Sequence, residues 1–260
     1  MIMQTVGLHD RIELYRTKEP GIRLETNLFY LPNNEQNLAY RAAALLMEEF
    51  GVKEGVSIKL KKFIPVSAGM AGGSTDAAAV LVGVNRMFDL GFTKKELMER
   101  GVKLGADVPY CIMRGTALAE GIGEELTELP QMMRCPVLIA KPPISVSTKY
   151  VYEHLDAIED PVHPDIDAMI ADITAGDLHA LGSHMGNILE DVTIQKYPVI
   201  AQIKELMRQN GAVVSMMSGS GPTVFGFFDD EETLQRAKRA VEASGLANRV
   251  QCTTIYNNRR

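Results

Sequence analysis

Tryptophan is missing from this 260-residue chain, cysteine occurs three times and histidine five. Cys111, Cys135 and Cys252 are far apart, odd in number and without a C-x-x-C spacing. That pattern excludes a disulfide framework and a structural zinc, and it fits a reducing cytoplasm. His9, His154, His163, His179 and His184 include no H-E-x-x-H arrangement, so surface or capping roles are expected and no metal-ligand set is. No apolar run reaches the roughly 18 residues of a membrane span. The opening Met1-Ile2-Met3-Gln4-Thr5 has neither the basic nor the long apolar stretch of a signal peptide, and reads instead like the middle of a strand. Basic residues are also short: 27 Lys and Arg stand against 33 Asp and Glu, a net charge of −6, and neither half of the chain is basic. A general nucleic-acid binder needs a basic face for the phosphates, so the charge balance argues against that class and leaves it the last of the alternatives.

What is present is a globular composition, 46% hydrophobic and 23% charged, which excludes a disordered or fibrous chain. The length suits one large domain or two modest ones. Alternation predicts strands over residues 22–31 and over Val56 to Lys61, with Lys59, Lys61 and Lys62 on a solvated face of the second. Apolar spacing predicts a helix from Asn37 to Phe50, ended by Gly51. Thr93-x-x-Glu96 reads as a capping box opening a helix that stops before Gly105. Gly105 to Tyr110 is expected as a loop leading into short strands around 115–120.

The second half is more legible. A buried strand is predicted from Val137 to Ala140, then helices from about Lys149 and over 165–174, 177–189 and 197–209. A strand Ala212 to Met217, a tight Ser218-Gly219-Ser220-Gly221-Pro222 loop, a strand Thr223 to Phe228, a helix capped by Asp229-Asp230 and a strand Arg249 to Ile255 complete it. The order is β-α-β-β-α-β, the ferredoxin-like pattern, with the remaining helices inserted after its first strand.

The chemistry points to Pro65-Val66-Ser67-Ala68-Gly69-Met70-Ala71-Gly72-Gly73-Ser74-Thr75-Asp76, which follows a predicted strand and opens a helix near Ser74. Glycines let several backbone N–H groups converge on one point, and the helix start adds unpaired N–H groups and a positive dipole end. Ser74, Thr75 and Asp76 supply oxygens for capping or for a metal. A Walker loop is rejected because no lysine follows Gly72-Gly73, and a Rossmann fingerprint lacks its first glycine. Three glycines with Ser-Thr-Asp at the helix start favour a phosphate cradle over a plain turn.

This segment resembles the phosphate-wrapping motif of the GHMP kinase superfamily, named for galactokinase, homoserine kinase, mevalonate kinase and phosphomevalonate kinase. Met217-Ser218-Gly219-Ser220-Gly221-Pro222-Thr223-Val224-Phe225 resembles the superfamily's last motif, in the right order and about 150 residues on. Within the superfamily, Met3 to Asp10, Gly105-Ala106-Asp107-Val108-Pro109 and Ala119 to Glu124 are closer to the kinases that act on a cytidine-diphosphate-linked methylerythritol in the non-mevalonate route to isoprenoids. The resemblance runs over nearly the whole chain. It implies an α+β fold of two domains, 1–133 for ATP and 134–260, ferredoxin-like with helical insertions, for the substrate, with the site in the cleft between them.

The resemblance also implies roles. Asp107 would be the catalytic base, against the plain alternative of a turn aspartate before Val-Pro. Pro65 to Thr75 would wrap the phosphates of ATP, with Mg²⁺ bridging them and Ser74 or Thr75 touching the metal or its waters. Tyr152, in the helix that begins Thr148-Lys149-Tyr150, would stack on cytosine, with Tyr150 nearly as good a choice and a core role the alternative. Gly219, Ser220 and Gly221 would meet the substrate with Thr148, or form a plain hairpin loop. A small-molecule partner, a monomer or weak homodimer, and no nucleic acid or membrane are expected. The alternatives are another acceptor, homoserine or mevalonate, or a nucleotide-binding remnant without turnover.

The chain departs from the resemblance at its start. The Lys-x-Asn and Asp-Gly-Tyr-His motifs of those kinases have no counterpart here, and neither does their first strand. The intact downstream motifs lead to the expectation that Met1 is internal to a longer natural chain. A short form, crippled or repurposed, is the other reading.

Overall fold

The computed structural model describes residues 1–155, 158 and 161–257. It divides into two compact units. The first holds Met1–Met3, Leu8–Val66 and Ala71–Glu128, and the second holds Gln4–Gly7, Ser67–Met70 and Leu129–Arg260.

The first unit contains, in order, β1 (Ile2–Gln4, except its last residue), β2 (Arg11–Thr17), β3 (Gly21–Thr26), α1 (Leu38–Glu49), β4 (Gly55–Lys61), α2 (Gly72–Met87), α3 (Lys94–Val102), α4 (Val108–Met113), β5 (Thr116–Glu120) and β6 (Glu125–Glu128). One sheet has the order β2-β4-β3 and another β1-β5-β6. In the central β4, Val56, Ile58 and Leu60 alternate into the core and are buried, as the period-2 pattern requires. Over them lie α1 and α2, which pack through small residues, Ala39, Ala42 and Ala43 on one and Ala77 and Ala78 on the other. Removing those methyl-sized contacts in favour of larger groups would overpack the core at about 1–3 kcal/mol each. The Asn37 side chain accepts from Ala39 N and starts α1, and the Thr93–Glu96 capping box starts α3.

The second unit contains β7 (Pro136–Lys141), α5 (Thr148–Leu155), α6 (Ile166–Ala175), α7 (Leu178–His184), α8 (Glu190–Lys196), α9 (Val199–Gln209), β8 (Val214–Met217), β9 (Val224–Phe227), α10 (Glu231–Ser244) and β10 (Arg249–Thr254). Its sheet is antiparallel with order β10-β7-β9-β8, which is the ferredoxin-like arrangement. Ile200, Ile203 and Met207 of α9 and Leu234, Ala237 and Val241 of α10 are buried at helical spacing in the core that this sheet shares. Asp230 caps α10 through Thr233 N, and Gly245 ends it in the left-handed conformation. The three cysteines are free, Cys111 and Cys135 buried and Cys252 half-buried.

Four sequence expectations need correction. Strand 22–31 stops at Thr26, because the Asn27 amide pairs with both backbone groups of Lys62 and takes the place of the ladder. The helix expected over 177–189 stops at His184 as α7; the residues after it form a segment in which Asn187 Oδ1 accepts from Leu189 N, and α8, a helix the sequence did not predict, starts only at Glu190. Gly105 to Tyr110 is not all loop, since α4 begins at Val108. Pro109 sits in the first turn of that helix, where no N–H is needed and a fixed φ helps. The helix expected near Ser74 begins at Gly72, because Ala71 already turns the chain in the left-handed region.

Candidate active site

The glycine-rich loop leaves β4 after Lys61 and enters α2 at Gly72. Its chain is turned by three residues with left-handed backbone, Ser67 (φ 51°), Gly69 (φ 68°) and Ala71 (φ 49°). Non-glycine residues in this region cost about 1–3 kcal/mol and collect at functional sites. Gly69 could be nothing else. A Cβ there would lie 2.3 Å from the Ser218 carbonyl oxygen and 2.9 Å from that of Gly221. The Ser218 hydroxyl donates to the Gly69 carbonyl at 2.8 Å. Two segments singled out in the sequence are thus brought together, backbone against backbone.

The start of α2 is uncapped. Ala71 occupies the cap position and no side chain accepts from the first turn. Ser74 and Thr75 are therefore not caps, as the sequence allowed. The Thr75 hydroxyl instead donates to the Ala71 carbonyl at 3.0 Å and touches Cys111 Sγ at 3.4 Å. A helix start left open in this way keeps its first N–H groups and dipole end for an anion.

The Ser218–Thr223 turn joins β8 to β9. It is closed by Ser218 N donating to Thr223 O at 2.8 Å and Gly221 N to Ser218 O at 2.9 Å. The Gly221–Pro222 peptide bond is cis. Thr148 Oγ1 and Ser220 Oγ share a hydrogen bond of 2.9 Å, so the proposed substrate residues of α5 and of the turn meet. Sequence reasoning missed what supports the turn. Asn187 Nδ2 donates to the carbonyls of Met217 at 2.9 Å and Gly219 at 2.8 Å. Glu190 Oε1 accepts from Met217 N at 2.7 Å, while its other oxygen pairs with Lys204. The signal was Asn187-x-x-Glu190, a capping-box spacing whose side chains reach across to a hairpin.

Of the two tyrosines considered for stacking, Tyr150 is covered. Lys196 Nζ lies 3.4 Å from its ring centroid and the His154 ring 3.8 Å. Tyr152 is 45% exposed and offers an open ring.

Asp107 stands at the cap position of α4, but its backbone is helical and its side chain caps nothing. Burial holds its carboxyl above the usual carboxylate range. One turn further along α4, burial pushes the Cys111 thiol up to about 12.

Lys62 corrects another expectation. It is not on the solvated face with Lys59 and Lys61, because β4 ends at Lys61 and the alternation ends with it. Lys62 is 8% exposed and pairs with Asp10 and Asp76. Asp76 is therefore not a cap of α2 but the partner of a buried ammonium. Its burial outweighs the Lys62 ammonium and raises its carboxyl to about 7. No group of three or more His, Cys, Asp or Glu that could hold a metal occurs among the described residues.

The description "GHMP kinases N terminal domain" matches residues 37–115, and "GHMP kinases C terminal" matches residues 169–247. The chain belongs to the GHMP kinase family. Its similarity inside that family is to proteins named 4-diphosphocytidyl-2-C-methyl-D-erythritol kinase. The one from Lachnospira eligens is 54% identical over 256 residues, 98% of this chain and 89% of that protein. The one from Clostridium perfringens is 50% identical over 258 residues, 99% of this chain and 90% of that protein. A crystal structure of a 4-(cytidine 5'-diphospho)-2C-methyl-D-erythritol kinase matches with a TM-score of 0.84 at 29% identity, over 99% of this chain and 90% of that one. A homoserine kinase from Cytophaga hutchinsonii shares the fold, with a TM-score of 0.79 at 20% identity over 100% of this chain and 90% of that one.

Proposed function

We infer that this chain is a 4-diphosphocytidyl-2-C-methyl-D-erythritol kinase, transferring the γ-phosphoryl group of ATP to the 2-hydroxyl of that acceptor. The observation that carries the inference is the 54% identity to a kinase of that name over 98% of the chain. The geometry supports it through the contact of Gly69 with the Ser218–Thr223 turn and the open start of α2.

Phosphoryl transfer asks a protein chiefly for in-line positioning and for neutralisation of charge on the phosphate oxygens. Backbone N–H groups from Gly69 to Ser74 bind and orient the phosphates of ATP, and Gly69 allows the closest approach. The residues fit an anion there, because α2 carries no cap of its own. A cation would arrive on the phosphates, with the Ser74 or Thr75 hydroxyl reaching it or its waters. Mg²⁺, when bound, supplies charge neutralisation at the transferring group.

Asp107 takes the proton of the acceptor hydroxyl. Burial raises its pKa, which makes it a better base than an exposed aspartate. Such general-base help is worth roughly 10²–10⁴ in rate. Tyr152 stacks on the cytosine, worth about 1–3 kcal/mol. Thr148 and Ser220, hydrogen-bonded to each other, meet the acceptor with Gly219 and Gly221.

The test is ADP release by the purified chain with Mg·ATP and 4-diphosphocytidyl-2-C-methyl-D-erythritol, with homoserine and mevalonate run beside it. Turnover confined to the cytidine acceptor is expected. Turnover on homoserine or mevalonate instead would assign a different acceptor, and no turnover with any of the three would refute the kinase reading for this chain.

A further inference from the structure

Lys62, Asp10 and Asp76 form a buried ionic cluster that the mechanism above does not use. Their side chains are 4%, 2% and 4% exposed. Lys62 Nζ donates to Asp10 Oδ2, to Asp76 Oδ2 at 2.7 Å and to the Gly72 carbonyl at 3.4 Å. The second oxygen of Asp10 accepts from Phe63 N at 2.5 Å and Ile64 N at 2.9 Å. These partners lie on both sides of the glycine loop. Lys62, Phe63 and Ile64 lead into Pro65, whereas Gly72 and Asp76 belong to the first two turns of the helix that follows it.

Stability is a poor reason for such a cluster. Each buried ion costs several kcal/mol in desolvation, and well-packed apolar side chains of similar volume often serve a fold as well or better. Here the pairing is incomplete too, since Asp76 Oδ1 is buried without a hydrogen-bond partner. What the cluster does provide is a fixed span. One ammonium group is bonded to the segment entering the loop, through Asp10, and directly to the helix leaving it.

We propose that Lys62 is a positioning residue for phosphoryl transfer: by joining Asp10, Asp76 and the Gly72 carbonyl at the base of the glycine loop, it holds the loop's N–H groups in register for the phosphates of ATP. The proposal rests on the reading of Pro65 to Thr75 as the ATP loop. Lys62 itself touches no substrate. Its loss acts on ATP through the loop and leaves recognition of the cytidine acceptor alone.

The experiment compares steady-state constants for both substrates with thermal unfolding. The triple variant Lys62→Met/Asp76→Leu/Asp10→Asn leaves no buried carboxylate without its cation. It removes the clasp and replaces the Lys62–Asp76 pair with apolar groups, while the amide oxygen at position 10 can still accept the two backbone bonds. It is expected to unfold near the parent's midpoint while KM for ATP rises roughly 10–100-fold, the scale of a misplaced binding group, and KM for the acceptor stays within about twofold. Asp76→Asn, which still offers Lys62 an oxygen, is expected to resemble the parent. A triple variant with the parent's KM for ATP, or with both KM values raised equally, overturns the proposal. If the triple variant does not fold, Lys62→Arg decides, because it keeps the charge but changes the span; an unchanged KM for ATP in that variant overturns the proposal.

Gly73→Val serves as the control for the loop. If it leaves KM for ATP unchanged, the loop reading fails and the proposal with it. If it raises KM for ATP while the Lys62 variants do not, the proposal alone fails.

Discussion

Ser218 and Gly69 are 149 residues apart in sequence, and the serine hydroxyl donates to the glycine carbonyl at 2.8 Å. The hairpin turn of the second half of the chain therefore packs against the glycine-rich loop at Gly69. The contact is built from backbone, since the atoms nearest a would-be Gly69 side chain are the carbonyl oxygens of Ser218 and Gly221.

Gly69→Ala should be far more damaging than its one methyl group suggests. Its φ of 68° and the 2.3 Å approach to Ser218 O force either the loop or the turn to move. A loss of roughly 100-fold in kcat/KM for ATP is expected from displacement on the ångström scale. Ser218→Ala removes one hydrogen bond and should cost only about 1 kcal/mol. Steady-state kinetics on the two variants would check the order; equal, small losses in both would show that the close approach has no part in binding.

Asp107→Asn should lower kcat by roughly 10²–10⁴ and, at neutral pH, raise the unfolding midpoint. A carboxyl with a folded-state pKa above its unfolded value costs the fold nothing below the unfolded pKa, and a growing amount as pH rises through the folded pKa. The variant's advantage should therefore vanish below about pH 4, near the unfolded value of an aspartate. Thermal melts across that range would show it. In the parent, kcat should fall with acidification on a limb set above the ordinary aspartate range.

Tyr152→Ala should raise KM for the cytidine acceptor by the equivalent of about 1–3 kcal/mol, with Tyr152→Phe close to the parent because stacking uses the ring. Tyr150→Ala should act differently. Its ring is engaged with Lys196 and His154, so the loss falls on stability. An acceptor KM that responds to Tyr150 and ignores Tyr152 would reverse the assignment.

Asn187→Ala should loosen the Ser218–Thr223 turn. It removes the donor to two carbonyls, Met217 and Gly219, and the acceptor of Leu189 N. Leaving such groups unsatisfied costs about 1–3 kcal/mol. Faster hydrogen exchange at Ser218 and Gly221 would mark the effect; unchanged exchange would show that the hairpin holds itself.

The elements with a strong local period were readable before any coordinates. The alternation of Val56, Ile58 and Leu60, the Thr93–Glu96 capping box and the ferredoxin-like order all rest on short-range patterns, and the structure has each of them. The loop and the last turn were visible as glycine-rich segments, whereas Thr148 and Tyr152 were singled out only through the family resemblance. What stayed hidden was set at long range. Lys62 looked like one more lysine on a solvated strand, since nothing near it in sequence announces Asp10, 52 residues away. Asn187 was read as part of a helix over 177–189 and Glu190 was not singled out, because their distant partner, the Met217–Gly219 backbone, has no side-chain signature. The helix α4 was read as loop because Asp-Val-Pro is ordinary turn chemistry, and only the tolerance of a first helical turn for proline reconciles the two.

The burial of the cysteines has a practical consequence. Cys111 and Cys135 are pushed up to about 12 and Cys252 is also raised, so none of the three presents appreciable thiolate at neutral pH. Thiolate is the form that maleimides and disulfide reagents attack. A cysteine introduced at a fully open position such as Phe29, 99% exposed, would then be the fast-reacting sulfur of the chain. A fluorophore could be attached there by brief labelling while the three native thiols stay in place.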